Sequence, residues 1–158
     1  MAEETQTQKN KKIKRDYIFA VGRRKEAVAR VRLFEAVPAD LKWGETEIKK
    51  GEIYVNGKLI AEYFSGDIAR HQYTEPLRIT NAHQLNYTFT IKVVGGGPAG
   101  QLQAVVAGIA NVLNKIDREK NRPTLKKKGF LTRDSRVRER RNVGTGGKSR
   151  RKRQSPKR

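Results

Sequence analysis

Apolar and polar residues change period along this chain, and each period predicts an element. Tyr17 to Val21 is a short apolar run that meets Gly22-Arg23-Arg24-Lys25. In Ala27 to Phe34 (AVARVRLF), Val28, Arg30 and Arg32 share one phase while Ala29, Val31 and Leu33 share the other. That alternation predicts a half-buried strand with a basic outer face. Pro38 to Lys50 is a polar excursion, read as a long hairpin loop in which Trp43 packs locally or touches a partner. Glu52 to Val55 predicts a strand closed by Asn56-Gly57, a pair suited to the positive φ angles of a type I′ turn. Leu59 to Phe64 and Asp67 to Tyr73 suggest short helical turns, with Asp67 as N-cap and Pro76 closing the segment. Gln84 to Val94 gives the strongest strand signal, with Leu85, Tyr87, Phe89, Ile91 and Val93 alternating with polar neighbours. Pro98 to Arg118 predicts the one long helix, because Leu102, Val105, Val106, Ile109, Val112, Leu113 and Ile116 recur at helical spacing. Arg122-Pro123 marks its end, and Lys126-Lys127-Lys128-Gly129 reads as a helix end with Gly129 at C′. The sum is an α+β two-layer sandwich, a sheet with helices on one face.

Charge divides the chain into three zones. The full 158 residues carry a formal net charge of +20. Residues 1–15 form a polar arm ending in a basic cluster, and residues 16–117 hold 13 Lys and Arg against 11 Asp and Glu, a net of +2. Residues 118–158 hold 18 against 3, a net of +15. Combined with the apolar pattern, this divides the chain into an arm at 1–15, a globular α+β domain at 16–121 and an extended cationic tail at 122–158. The tail has no aliphatic residue after Ser149 and cannot bury enough apolar surface to fold alone. Charge of one sign at that density repels itself until an anion neutralises it, so the expected partner is a nucleic acid. A membrane partner is not expected, since the basic segments lack a bulky apolar face and no apolar run approaches the roughly 18 residues of a span. The absence of cysteine removes disulfides and thiolate metal sites. The N-terminal stretch has no hydrophobic core of a signal peptide, and Glu3 and Glu4 argue against a transit peptide, so a cytoplasmic location is expected.

Two glycine motifs raise the question of a cofactor. Ile91 to Ala104, IKVVGGGPAGQLQA, places Gly95, Gly97 and Gly100 at G-x-G-x-x-G spacing, with Asp117 and Glu119 downstream at a distance suited to a ribose contact. A dinucleotide site needs a second parallel strand after the helix, and DREKNRPTLKKKGFLTRD offers no apolar run to make one. The expectation is a sheet-to-helix hinge, whose free N–H groups could still hold a phosphate. Asn142 to Ser149, NVGTGGKS, lacks the first glycine of a P-loop and follows RVRERR instead of a strand, which suits a phosphate-tracking linker. His71 and His83 stand apart from any ligand spacing, and no Ser/His/Asp set is discernible. No cofactor, no metal and no enzymatic activity are expected.

Three segments in order, GRRKEAVARV (Gly22 to Val31), VGGGPAGQ (Val94 to Gln101) and GFLTRDSRVRERR (Gly129 to Arg141) with a basic tail ending in Lys-Arg, resemble the family of ribosomal protein nine of the small subunit. The likeness covers roughly residues 17–158. It implies a fold like the second domain of small-subunit ribosomal protein five, with a left-handed β-α-β crossover. It also implies binding to the 3′ domain of small-subunit rRNA in the head, beside neighbouring small-subunit proteins and without homo-oligomers. The family's tail threads inward, and its last residues approach P-site tRNA. By position, Arg23, Arg24 and Lys25 match the family's leading basic triplet, and Arg133, Arg136, Arg140 and Arg141 match the basic positions after Gly-Phe-Leu-Thr. The charge pattern adds Arg30, Lys126, Lys127, Lys128, Lys148, Arg150 and Arg151 to the expected rRNA contacts. Lys157 and Arg158 match the terminal pair assigned to tRNA phosphates, with Arg153 beside them. The chain departs from the family at Arg153-Gln154-Ser155-Pro156, where an aromatic residue is usual, and at Val106 and Asn111, where arginines are common. Its 35–51 region is longer than usual, and its N-terminal arm is extra. Two rivals remain: a fragment of a dinucleotide-dependent oxidoreductase, and a nucleic-acid chaperone without preference for ribosomal RNA.

Overall fold

The computed structural model describes residues 16–36, 42–43, 46–82 and 87–140. Strands β1 (Ile18–Arg24) and β2 (Ala27–Phe34) pair antiparallel about the turn Lys25-Glu26, where Lys25 takes a φ of 50°. β3 (Lys42–Trp43) and β4 (Thr46–Glu47) make a separate small hairpin inside the predicted polar excursion. β5 (Ile53–Val55) and β6 (Lys58–Leu59) turn on Asn56 and Gly57, at φ of 50° and 84°, as the Asn-Gly pair predicts. Then follow helices α1 (Ile60–Tyr63) and α2 (Asp67–Ile79), strand β7 (Thr88–Val94), and helices α3 (Pro98–Ile116) and α4 (Arg118–Lys127). The sheet order is β1-β2-β7-β5-β6, with β2 and β7 antiparallel and β5 and β7 parallel. A crossover through α1 and α2 joins the parallel pair. The α+β two-layer architecture is therefore the one expected.

Three local expectations need correction, each for a physical reason. Pro76 does not end its helix; α2 runs through it to Ile79, and the N-cap is Gly66, with Asp67 in the first turn. The Pro76 ring is fully buried beside Tyr73 and Leu77, so packing offsets the one hydrogen bond that proline cannot donate. The long helix stops at Ile116, because Asp117 leaves helical geometry at φ −133° and accepts a bond from the Lys120 N–H, capping α4. Pro123 lies inside α4, whose Leu125 is fully buried, so Arg122-Pro123 does not mark a helix end. Gly129 takes a φ of 79° at the C′ position, and the N–H groups of Gly129 and Phe130 bond back to Lys126 and Leu125, a Schellman end.

The main core lies between α3 and the inner sheet face of Ala29, Val31, Leu33, Phe89, Ile91 and Val93. Its tightest point is a backbone contact. A Cβ placed on Gly22 of β1 would overlap the Ala104 carbonyl and the Gly108 backbone of α3, and a Cβ on Gly108 would meet Val31 Cγ2 at 2.6 Å. The two glycines let α3 lie directly on β1. A smaller cluster occupies the other sheet face, which the alternation predicts to be polar. There Phe34, Tyr54, Thr88 and Thr90 are buried, with Ile48 of the 46–52 segment buried alongside them. Thr88 Oγ1 accepts from Gly51 N–H at 2.9 Å, and the Tyr54 hydroxyl meets Glu52, Glu47 O and Lys49 N–H. Burial first, then the Glu52 bond, raises the Tyr54 phenol above its ordinary value and keeps it protonated as a donor.

Replacing Gly22 with Ala forces β1 and α3 apart. The expected loss is roughly 1–3 kcal/mol, read as a lower urea midpoint, whereas Ala at Gly57, whose Cβ would meet nothing, costs only the strain of its positive φ. Equal midpoints for Gly22→Ala and the native chain would contradict the close contact.

Candidate nucleic-acid interface

Strand register assigns the outer sheet face row by row. One row carries Arg23, Val28 and Val94, and the next carries Val21, Arg30 and Lys92. The third carries Phe19, Arg32, Thr90 and Tyr54. The 46–52 segment covers Thr88, Thr90 and Tyr54 but leaves the first two rows bare: Arg23, Arg30, Lys92 and Val94 are exposed. Arg30 and Lys92 face each other directly across two strands. Like charges so placed destabilise a sheet, so the arrangement suits a face that meets an anion. Arg32 is drawn aside, its guanidinium 5.0 Å over the Tyr17 ring. Lys92 and Arg32 complete this face and were absent from the residues assigned to RNA. Their strands pair across a long sequence separation, so only the period-2 alternation pointed to them.

The glycine turn packs against the turn of the first basic motif. Gly95 and Gly96 take φ of 78° and 65°; a Cβ on the first would overlap the Glu26 carbonyl, and on the second would meet Ala27 Cβ at 3.0 Å. The turn Lys25-Glu26 thus rests on the loop between β7 and α3. A polar network holds that loop: Gln101 Nε2 donates to Gly95 O at 3.0 Å, and the Tyr63 hydroxyl donates to Gln101 Oε1 at 2.9 Å. Asn56 grips both the N–H and the carbonyl of Val93. After α3 the chain enters α4, not a parallel strand, and Asp117 serves as an N-cap, so the context of a dinucleotide fingerprint is missing.

Of the leading triplet, Arg23 and Lys25 are exposed while Arg24 turns inward, its side chain 14% exposed. Arg24 Nε donates to Gln103 Oε1 at 2.8 Å, Nη1 donates to the Arg136 carbonyl at 2.7 Å, and Nη2 lies 3.0 Å from Asp134 Oδ2. Arg136 engages the same carboxylate through Nε at 3.0 Å and Nη2 at 2.7 Å. These contacts clamp the start of the tail against β1 and α3. Bonds from the Arg136 side chain and then its backbone N–H, with the charges of Arg136 and Arg24, hold the Asp134 carboxyl well below the usual carboxylate range. A carboxyl held low in the folded state contributes stability above its unfolded value and loses it as pH falls through the folded one. The Asp134 part of the clamp is therefore formed at neutral pH and is lost as pH falls below the usual carboxylate range.

The free edge of β1 is covered by α3: Asn111 Nδ2 donates to Val21 O at 3.3 Å and Lys115 Nζ to Phe19 O at 2.6 Å. Asn111, where the family resemblance implies an arginine, thus has a backbone partner. Lys126, Lys127 and Lys128 end α4 on the surface, with Lys128 Nζ 3.9 Å from Glu75. Arg133 and Arg140 are exposed in the extended segment after Gly129. Arg141, Lys148, Arg150, Arg151, Arg153, Lys157 and Arg158 lie outside the described residues, as does His83. Among the described residues no helix is long and apolar enough to cross a membrane, and no cluster of His, Asp and Glu could hold a metal.

Over residues 22–158 the chain matches the family described as ribosomal protein S9/S16. Among curated relatives, the small ribosomal subunit protein uS9 of Leifsonia xyli subsp. xyli (strain CTCB07) is 46% identical over 125 residues, covering 79% of this chain and 66% of the relative. That of Renibacterium salmoninarum is 44% identical with the same coverage. The protein of the same name from Bifidobacterium animalis subsp. lactis is 41% identical over 126 residues, covering 80% of this chain and 69% of the relative. The matched stretch spans just under two thirds of the length of the first two relatives.

The clamp predicts a specific proteolytic signature. Asp134→Ala removes the carboxylate that pairs with Arg24 and Arg136, so trypsin should cleave after Arg136 several-fold faster, since its guanidinium is freed and only the Arg24 bond to the Arg136 carbonyl still holds the segment. Because the ion pairs are partly exposed, the melting temperature should fall by no more than about 2–4 °C. Unchanged cleavage at Arg136 would show that the clamp does not hold the tail.

Proposed function

The chain belongs to the ribosomal protein S9/S16 family, and on that premise we propose that it is a structural constituent of the small ribosomal subunit, not an enzyme. It works there by binding the subunit's RNA in the cytoplasmic ribosome, beside neighbouring small-subunit proteins. The observation that carries this reading is the separation of charge. The domain that packs is almost neutral, while its surplus cations stand on a bare sheet face and along a tail with a net of +15 over residues 118–158.

The physics of that separation accounts for the binding. Each Lys or Arg that meets a phosphate releases condensed counterions, so affinity falls steeply with salt. Arg30 and Lys92 project side by side and neutralise adjacent backbone phosphates, relieving their mutual repulsion. Arg23 and Lys25 extend the face at the β1–β2 turn, and Lys126, Lys127, Lys128, Arg133 and Arg140 add further exposed cations in the helix layer, along α4 and the segment beyond. Arg24 acts differently: it fixes where the tail leaves the domain. From that point Arg141, Lys148, Arg150 and Arg151 follow rRNA of the 3′ domain in the head, and Arg153, Lys157 and Arg158 reach the P-site tRNA. A tail that orders only on binding can enter between RNA helices where a globule cannot. Its contacts grip backbone and shape instead of reading sequence.

Sucrose-gradient sedimentation of a lysate tests the assignment: the chain should travel with the small-subunit peak, and its absence there would overturn the reading. For the sheet face, Arg30→Ala with Lys92→Ala should flatten the slope of log affinity against log salt by about 0.7–0.9 for each phosphate no longer neutralised. An unchanged slope would remove the face from the interface. Deleting Lys157 and Arg158 should weaken P-site tRNA retention while small subunits still assemble, and undiminished retention would contradict the role assigned to the tip.

A further inference from the structure

A cleft of about 650 Å³ lies where the segment after α4 crosses the first half of α3 beside β1. Its floor is apolar, made by Val21, Val106, Ala107, Phe130 and Leu131. Three carboxamides, Gln72, Gln103 and Asn111, interrupt that surface. Arg23 and Arg133 stand at its margin, exposed and without an ion pair among the described residues. The carboxylates that also line it are already matched, Glu75 by Lys128 at 3.9 Å and Asp134 by Arg24 and Arg136. An anion entering the cleft therefore meets cations and no uncompensated negative charge.

Two of the carboxamides are oriented by fixed partners. Arg24 Nε can only donate, so Gln103 presents Oε1 to it at 2.8 Å and leaves its amide N–H₂ for another acceptor. The Val21 carbonyl can only accept, so Asn111 presents Nδ2 to it at 3.3 Å and leaves Oδ1 for another donor. One donor and one acceptor held over an apolar floor complement the edge of a nucleobase, which offers both kinds of group side by side. The Phe130 ring supplies an aromatic surface for stacking.

We propose that this cleft receives a single unstacked nucleotide of an RNA strand. The base lies on the floor between Phe130 and α3, with its edge against Gln103 and Asn111, and its phosphate lies on Arg23 and Arg133. The inference rests on the RNA-binding role proposed above and gives it one point of contact with a base. The Arg24–Asp134 clamp then has a second effect: by holding the segment that carries Phe130, Leu131 and Arg133 against α3, it keeps the cleft open to a defined width.

The test uses the full chain and an intact small-subunit rRNA transcript. Ala107→Trp fills the floor without removing a cation, so affinity at fixed salt should drop on the order of tenfold while the salt slope stays unchanged. Ala61→Trp, at an exposed site on α1 beside β5 and β6, the sheet edge opposite β1 and the cleft, should bind like the native chain. If Ala107→Trp does not unfold cooperatively, Phe130→Leu replaces it and should still weaken binding several-fold. Short-wave ultraviolet cross-linking of the native complex should place a nucleotide adduct on the peptide containing Phe130. Native-like affinity in the folded filled or ring-deleted variant, or adducts confined to other peptides, would overturn the cleft while leaving RNA binding in place. Failure of the native chain to bind the transcript would instead overturn the ribosomal role itself.

Discussion

The backbone of β1 touches the backbone of α3 at Gly22 and Gly108, and most of what lies outside the core takes its position from that contact. With α3 this close, Asn111 and Lys115 reach the open edge of β1 and occupy the carbonyls of Val21 and Phe19. Gln103, two turns earlier on the same helix, comes within bonding distance of Arg24 at the end of that strand. Arg24 in turn holds Asp134 and the Arg136 carbonyl. A side chain at either glycine would move the helix, and with it the edge cover, the cleft and the tail's point of departure.

The same packing explains how a chain with net charge +20 keeps a folded domain. Among the described residues its cations are placed where water or an anion can reach them, not where they would be buried. The exception among those residues is Arg24, half-buried with a carboxylate, a carboxamide and a carbonyl as partners, as an inward-facing charge requires. The opposed pair Arg30 and Lys92 is the clearest departure from what stability alone would select. A sheet designed only to fold would place a carboxylate or a threonine opposite Arg30. The cost is accepted at a face proposed to meet phosphate.

Much of the fold is legible in the residues because local signals and tertiary packing agree there. Asn56-Gly57 takes the positive φ angles its chemistry favours, the apolar stripe of α3 packs on the sheet, and Gly129 ends α4 in a left-handed turn. The misreadings fall where burial overrides a local preference. Pro76 and Pro123 sit inside helices because the ring of one and the neighbouring Leu125 of the other are fully buried. Asp117, which spacing assigned to the last turn of one helix, is the cap of the next. The site is legible as residue types and opaque as geometry. Charge marks Arg23, Arg24 and Lys25 alike, yet only contacts reaching 112 residues along the chain separate the inward Arg24 from its exposed neighbours. Likewise no local pattern places Lys92 opposite Arg30, since that requires the register of β2 against β7.

The bare half of the sheet and the clamped tail are both proposed to face RNA, their positions set by the β1–α3 contact. A cryo-electron microscopy structure of the small ribosomal subunit carrying this chain would decide the matter. RNA backbone density is expected against Arg23, Arg30 and Lys92, with the Arg24–Asp134 clamp intact and the tail continuing into RNA from Arg136. Density that leaves Arg30 and Lys92 facing solvent, or turns the outer face of α4 and the tail away from RNA, would contradict that placement.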